Sequence, residues 1–222
     1  KLDVPVISTH DETNISYDSI KGQFIVTGRC SELYHDPSAV QGGYSCRGTQ
    51  YGRSVFMYTS QDFRSWSNPG ELIFHADELD QSMGRHIIAE RFSDPTLEQP
   101  IYNTPIIYKV DVYNMGVFRY ESRYLGMPAM YYKTGQVKGD WPGFDAWDIE
   151  PEALDIYRRD GDWAGFHHLQ LTSSRDLKHW KRLGDRQPFI APSHVNSGAY
   201  DLATIMPPSS PIVRGDELWF YY

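Results

Sequence analysis

The sequence has little positive charge and no long apolar run. Its 222 residues include 29 Asp and Glu against 21 Lys and Arg, so the formal net charge is −8 at pH 7. Nucleic-acid phosphates are bound by clustered Lys and Arg, and the absence of a basic stripe argues against a nucleic-acid partner. No segment reaches the roughly 18 apolar residues of a transmembrane helix, so the sequence predicts no membrane span.

Motifs for metals and cofactors are also absent. No group of His, Cys, Asp and Glu has the spacing of a metal site. There is no Gly-rich phosphate loop, no nucleophile-elbow motif and no dinucleotide-binding fingerprint. We therefore predict neither a metal nor a cofactor.

Cysteine is scarce, with only Cys30 and Cys46 in the chain. A bond between them would close a short loop and stabilise the fold by about 3 kcal/mol. Two free thiols are the other interpretation, and two cysteines do not identify a redox compartment.

Aromatic residues, in contrast, are abundant. They make up 14% of the chain, with 16 Tyr, 10 Phe and 6 Trp. Aromatic side chains suit the pleated, half-buried surface of a sheet. The composition therefore favours an all-β fold, with residues 1–222 in a single domain.

A seven-residue pattern occurs twice. Residues 60–66 read SQDFRSW and residues 174–180 read SRDLKHW, so both follow Ser-x-Asp-x-x-x-Trp. The Asp carboxylate of such a turn accepts backbone N–H bonds, and the Trp anchors the turn. We interpret both copies as structural turns, not as sites. Strands are predicted on both sides of each turn, at 53–59 and 71–74 for the first and at 168–173 and 187–190 for the second.

Hairpins precede both turns, and a third begins near the C-terminus. Their predicted strands are 15–18 with 23–29, 110–120 with 123–132, and 209–213 with 217–222. The chain thus makes a four-stranded antiparallel meander twice and begins it a third time. Repeated four-stranded meanders are the blades of a β-propeller. We predict about two and a half blades, with the missing blades supplied by the rest of a longer chain or by another chain.

Three segments carry a family resemblance: DVYNMGVFRYESRYLG, LTSSRDLKHWKRLGDRQPFI and GAYDLATIMPPSSPIVRGDELWFYY. They resemble bacterial proteins similar to the amino-terminal domain of glycoside hydrolase family 32, which are related to five-bladed furanosidases and to family 43. The resemblance runs from about Asp11 to the last residue. It implies a five-bladed propeller with a central funnel lined by carboxylates. It also implies that blade sequence is missing at both ends.

The meander places one Asp of each blade on the funnel face. The first strand of a blade is innermost, so an acid at its start points toward the central axis. Asp11, Asp111 and Asp201 precede or begin these strands, and we predict that they are catalytic. Glycosidases need two carboxyl groups about 5–10 Å apart, and neighbouring acids shift one another's pKa. The alternative is that Asp is simply common at strand starts.

The resemblance also implies a general acid that the sequence does not supply. Enzymes of families 32 and 43 use three acids, one of which is a Glu that protonates the leaving group. No Glu occupies an equivalent inner-strand start here, so the general acid is not identified.

Other polar and aromatic residues are predicted on the same face. The long loops after the second strand of each blade, 30–52 and 134–165, contribute to it, and a short helix is expected at 151–159. Trp faces stack on sugars, although each of these residues can instead be packed against the blade. The predicted substrate-binding residues are His10, Asn14, Arg47, Asn114, Trp147, His167 and His168.

The sequence therefore predicts a glycoside hydrolase that acts on an oligosaccharide or polysaccharide in a central funnel. The alternative is a non-catalytic carbohydrate-binding or scaffold propeller. We expect a secreted or periplasmic protein.

Overall fold

The computed structural model describes residues 7, 12–30, 32–35, 44–47, 52–67 and 70–222. Side chains are described for all of these except residues 30, 32–35 and 44–47. The choice between a Cys30–Cys46 bond and two free thiols therefore lies outside the described side chains.

The first sheet is a four-stranded antiparallel meander. Its order is β1-β2-β5-β6, and the hairpin between β1 and β2 confirms the prediction from the sequence. A second hairpin, β3–β4, is inserted between β2 and β5. The strands are β1 Thr13–Asp18, β2 Gln23–Cys30, β3 Glu32–His35, β4 Tyr44–Arg47, β5 Ser54–Ser60 and β6 Glu71–Phe74.

The second sheet repeats this plan with longer strands. Its long hairpin pairs β7 with β8, and β9 and β10 pair with successive parts of β8, so together they form one interrupted third strand. β11 completes the sheet beside β10. The strands are β7 Lys109–Tyr120, β8 Arg123–Val137, β9 Asp162–Leu169, β10 Thr172–Ser174 and β11 Trp180–Arg182.

The predicted fourth strand at 187–190 is wrong. β11 begins at Trp180 itself, so the chain enters its last strand as soon as the turn ends. Ile190 makes only an isolated bridge to Leu169. A short 3-10 turn, Gly184–Arg186, separates β11 from this bridge.

The C-terminal hairpin is confirmed. β12 Ile212–Arg214 pairs with β13 Glu217–Trp219 around the turn at Gly215 and Asp216. The described chain is thus predominantly antiparallel β-structure, as two four-stranded meanders and two further hairpins, β3–β4 and β12–β13.

Both copies of the repeated turn have the same hydrogen bonds. Asp62 Oδ1 accepts from the backbone N–H groups of Arg64 at 2.8 Å and Ser65 at 2.7 Å. Asp176 Oδ1 accepts in the same way from residues 178 and 179, at 2.9 and 2.8 Å. The bonds from Ser65 and Arg64 lower the pKa of Asp62 to about 2. Both aspartates therefore close turns, as the sequence predicts.

Helix α1, Glu78–Ser93, follows the first sheet and was not predicted from the sequence. Asp77 caps its first turn, because the Asp77 carboxylate accepts from Asp80 N–H while the Asp80 carboxylate accepts from Asp77 N–H. Gly84 lets the helix approach β7 closely, since a Cβ there would lie 2.2 Å from Val110 Cγ2. The short helix predicted at 151–159 is confirmed as α2, Pro151–Asp160.

The apolar core joins the first sheet, α1 and the second sheet. Its fully buried residues include Val55 of β5, Ile88 of α1, and Val112 and Met130 of the second sheet. β7 also hydrogen-bonds directly to the first sheet. Thr27 Oγ1 donates to the Met115 carbonyl at 2.6 Å, and β7 lies beside β1, β2 and β5.

Arg182 of β11 and Arg186 of the 3-10 turn that follows it bind the first turn of α1. Arg186 Nη1 lies 2.7 Å from both Asp77 Oδ1 and Asp80 Oδ1. Arg182 donates to Asp80 Oδ2 and, at 3.1 Å, to the backbone carbonyl of His75. We call these four charged residues, Asp77, Asp80, Arg182 and Arg186, the α1 ion cluster. It joins the end of the first sheet, the helix and the last strand of the second sheet.

We predict that Asp80→Asn lowers the free energy of unfolding by about 3 kcal/mol, because it leaves two largely buried guanidinium groups with one shared carboxylate. Urea denaturation measures this change. Glu78→Gln, on the exposed side of the same turn, is the control and should change stability by less than about 0.5 kcal/mol. Equal stabilities for the two variants would show that the cluster does not hold the helix.

Candidate functional site

A row of three polar residues crosses the second sheet near the start of β7. Asp111 of β7 is paired in register with Tyr131 of β8, and Tyr131 is paired with His167 of β9. Directly paired residues of antiparallel strands lie on the same face of a sheet. Two of these residues, Asp111 and His167, are predicted site residues, and the strand register brings them together through Tyr131.

Asp111 is a fully buried carboxylate held by lysines. It is 0% exposed, and its Oδ2 lies 2.6 Å from Lys133 Nζ. Lys109 Nζ lies 3.4 Å from the other oxygen, and its side chain is 43% exposed. Burial lowers the pKa of Lys133, and the nearby Arg53 adds to this, whereas Asp111 opposes it. The sheet thus carries an ion pair at this point, with a second lysine at its edge.

Aromatic rings and one arginine continue the row. The His167 and Tyr131 rings stack with their centroids 4.7 Å apart, and Tyr113 meets His167 edge-on at 5.1 Å. The guanidinium of Arg53 lies 5.0 Å from the Tyr113 centroid and 5.3 Å from that of Tyr131. A β-bulge between Val112 and Asn114 brings Tyr113 into this position.

We call this group the Asp111 cluster. Its members are Arg53, Lys109, Asp111, Tyr113, Tyr131, Lys133 and His167.

His167 is a neutral, buried imidazole. His167 is 4% exposed, and neither of its ring nitrogens has a hydrogen-bond partner. Burial lowers its pKa to about 3, with further contributions from Arg53 and His168. At neutral pH the ring therefore offers one N–H donor and one acceptor to an incoming group.

Tyr131 is a protonated phenol between two acids. Its hydroxyl donates to the Trp163 carbonyl at 3.1 Å. Burial raises its pKa, and the negative charges of Asp162 and Asp111 contribute to the rise. Asp162 is the first residue of β9 and is exposed. Asp162 is thus a second acid, besides Asp111, whose charge bears on the pKa of Tyr131.

His168 lies on the opposite face of β9. Its ring is 5.0 Å from the Tyr132 ring and 5.3 Å from the Phe166 ring, on the side of the core. Burial, and then the charge of Arg91, lower its pKa to about 4. His168 is therefore packed in the core, which is the alternative to a substrate-binding role.

Asp201 does not begin a strand, so the position assigned to it from the sequence is wrong. It lies in an irregular segment well before β12, because the third hairpin starts only at Ile212. It is 4% exposed, accepts from Tyr222 Oη at 3.2 Å, and its carbonyl accepts from Ser193 N–H. No described contact joins Asp201 to Asp111.

Two predicted asparagines are buried and bonded to the backbone. Asn14 Nδ2 donates to the Pro207 carbonyl at 3.1 Å and to Ser209 Oγ at 3.2 Å. Asn114 Oδ1 accepts from Met115 N–H at 2.6 Å. These bonds fix β1 and the bulge in β7, respectively.

Trp147 is packed within its own loop. It is 37% exposed, and its ring lies 4.9 Å from that of Phe144 and 5.0 Å from that of Tyr157. The loop is also shorter than predicted, because β8 extends to Val137 and β9 begins at Asp162. Trp147 thus packs on the aromatic residues of its own loop and of α2, and no described ring contact joins it to the Asp111 cluster.

The remaining predicted residues fall outside the described side chains. His10 and Asp11 are not among the described residues, and Arg47 is described only by its backbone in β4. The prediction that these three residues belong to the site stays a prediction.

No cation site was predicted from the sequence, and the described residues contain no group of three or more His, Cys, Asp and Glu that could hold a metal. No helix among the described residues is long and apolar enough to cross a membrane.

Comparisons with protein-family models, curated proteins and solved structures find no match to this chain. The resemblance to family 32 proteins therefore stays a prediction.

Asp111 and Lys133 should be strongly coupled. We predict that Asp111→Asn and Lys133→Met each lower the free energy of unfolding by about 3 kcal/mol, since each leaves one buried charge unpaired. The double variant should recover most of that loss. Denaturation of the four proteins in this cycle measures the coupling energy.

Lys109→Met is the matched control for the cycle. Because Lys109 is 43% exposed and 3.4 Å from Asp111, its coupling energy with Asp111 should stay below about 1 kcal/mol. A coupling as large as that of Lys133 would mean that the two lysines share the carboxylate equally.

Gly52 closes one side of the Asp111 carboxylate. A Cβ on Gly52 would lie 2.3 Å from Asp111 Oδ1 and 2.6 Å from Lys109 Nζ, and the backbone φ is +77°. We predict that Gly52→Ala costs about 1–2 kcal/mol for the left-handed backbone and a further 1–3 kcal/mol for the clash.

Gly198→Ala separates the two costs. Gly198 has a nearly equal φ of +76° and no atom within 4 Å of the added Cβ, so only the backbone cost should remain. Thermal unfolding of both variants measures the difference, and equal losses would show that the space beside Asp111 is not restricted.

Proposed function

We propose that this chain is a glycoside-hydrolase-like protein that binds a glycan at the Asp111 cluster, within a β-propeller of which the two meanders are blades. The observation that carries the proposal is the row of Asp111, Tyr131 and His167 at the start of β7. In a propeller blade the start of the innermost strand faces the central channel, and this supports the proposal.

The chemistry of the row suits a sugar. The Asp111 side chain lies 2.6 Å from Lys133 Nζ, and a carboxylate stabilises the positive charge that develops on a sugar ring during hydrolysis. Tyr131 and His167 are neutral hydrogen-bonding groups, which match sugar hydroxyls. Asp162 adjoins Trp163, whose carbonyl accepts from the Tyr131 hydroxyl at 3.1 Å, and we propose Asp162 as the second carboxyl group.

A second candidate, non-catalytic carbohydrate binding, is favoured by one observation. Asp111 is 0% exposed and within 2.6 Å of Lys133. A carboxylate that stays paired in this way supports the structure of the cluster without reacting. The two candidates differ in whether removal of the carboxylate abolishes bond cleavage or only weakens binding.

The test is glycan-library hydrolysis and binding by the full-length protein and by the Asp111→Asn/Lys133→Met variant. This double variant lacks the carboxylate without leaving Lys133 unpaired, so loss of activity cannot be assigned to unfolding. We expect at least about a hundredfold loss of hydrolysis, the range of a catalytic acid or base.

Asp216→Asn, in the exposed turn between β12 and β13, is the control and should keep full activity. Glycan binding without cleavage by the unaltered protein would favour the second candidate. Full hydrolysis by the double variant would remove Asp111 from the mechanism.

A further inference from the structure

The Asp111 cluster carries excess positive charge within an acidic protein. Three of its members, Lys109, Lys133 and Arg53, are cations, Asp111 is an acid and His167 is neutral. Asp162 adds a second negative charge near Tyr131, so the cations of the cluster still outnumber these acids, whereas the whole chain has a net charge of −8.

Among the described residues, Arg53 is the cation of the cluster that has no ion pair with an acid. Its guanidinium lies over the Tyr113 and Tyr131 rings, and no carboxylate of the described residues is within ion-pair distance of it. Its carbonyl accepts from Val112 N–H at 3.1 Å, which ties this residue to the bulge of β7. Arg53 as a whole is half-buried.

His167 provides a second, independent sign of a ligand. Its two ring nitrogens are buried without a hydrogen-bond partner, next to the same two tyrosine rings. Buried polar atoms are almost always hydrogen-bonded, so an unpartnered pair indicates a group that is supplied from outside.

We propose that the Asp111 cluster recognises an acidic sugar, one that bears a carboxylate or a sulfate group, with Arg53 as the residue that binds the anion. This inference rests on the proposed glycan-binding function and names its substrate class. The planar guanidinium can bind an oxyanion through two parallel hydrogen bonds, which a neutral hydroxyl cannot match. The lysines offset the repulsion that Asp111 would otherwise exert on such a ligand.

The test measures binding of three glycan sets to the full-length protein by calorimetry: oligogalacturonates, sulfated galactan oligosaccharides and neutral cello-oligosaccharides. We expect acidic oligosaccharides to bind at least about tenfold more tightly than neutral ones of equal length, with the difference shrinking at high salt. The two acidic sets distinguish carboxylate from sulfate.

Arg53→Gln should weaken binding of the acidic sets by about tenfold or more and leave neutral glycans unchanged. Arg85→Gln, on the exposed face of α1, removes the same charge from the protein and is the matched control. Thermal unfolding of both variants establishes that they are folded, and Arg53→Lys should restore part of the affinity through its charge.

The outcomes distinguish the acidic-sugar inference from the proposed glycan-binding function. Equal binding of neutral and acidic glycans, or an unchanged affinity in Arg53→Gln, overturns the acidic-sugar inference and leaves the glycan-binding function standing. Failure of every glycan to bind overturns both.

Discussion

Two arginines at the end of the second sheet determine where helix α1 lies, and the rest of the structure depends on that position. Arg182 and Arg186 bind Asp77 and Asp80 in the first helical turn, and the same Arg182 packs 4.3 Å from the Phe74 ring of the first sheet. Charged groups that are buried must be paired, so few other arrangements of these elements are acceptable. The apolar contacts in the core beneath the helix have no preferred direction, whereas these ion pairs form only in a specific orientation.

The Asp111 cluster is built on the sheet that this contact positions. With α1 fixed, Gly84 meets Val110, and the apolar face of β7 is covered. The opposite face of β7 carries Asp111 and Lys109, beside Tyr131 and Lys133 of the paired strand β8. One face of a single hairpin thus supplies packing, and the other supplies a charged cluster. Alternation along a strand makes this division possible.

The meanders were predictable from the sequence because each depends on local signals. The Ser-x-Asp-x-x-x-Trp turns act through hydrogen bonds within seven residues, and the hairpins through alternating strands and short turns. Helix α1 was not predicted because its buried side includes Asp80 and Arg91, which look like solvent-facing residues in a sequence. The reciprocal cap of Asp77 and Asp80 was the one local signal that could have indicated it.

The site could be predicted only in part, because the register of β7 against β8 cannot be read from the sequence. The tight turn after Tyr120 pairs it with Arg123, and an unbroken ladder would place Asp111 opposite Tyr132. The bulge at Tyr113 shifts this by one residue, so that Asp111 faces Tyr131 and its row reaches His167. Because neighbouring residues point to opposite faces, this single residue decides which side chains meet Asp111. Neither the composition of the chain nor the spacing of its residues indicates the bulge at Tyr113.

Charge is the remaining constraint on the proposed acidic ligand. A chain with a net charge of −8 repels an anion at long range, yet salt screens exposed charges beyond about 8 Å at physiological ionic strength. Within that distance the ligand meets chiefly the lysines and Arg53, beside rings that exclude water and so strengthen each interaction. The acidic surface then lowers the non-specific binding of anions, while the cluster still attracts the anionic group of its ligand. A protein that selects one anionic group among many benefits from this combination.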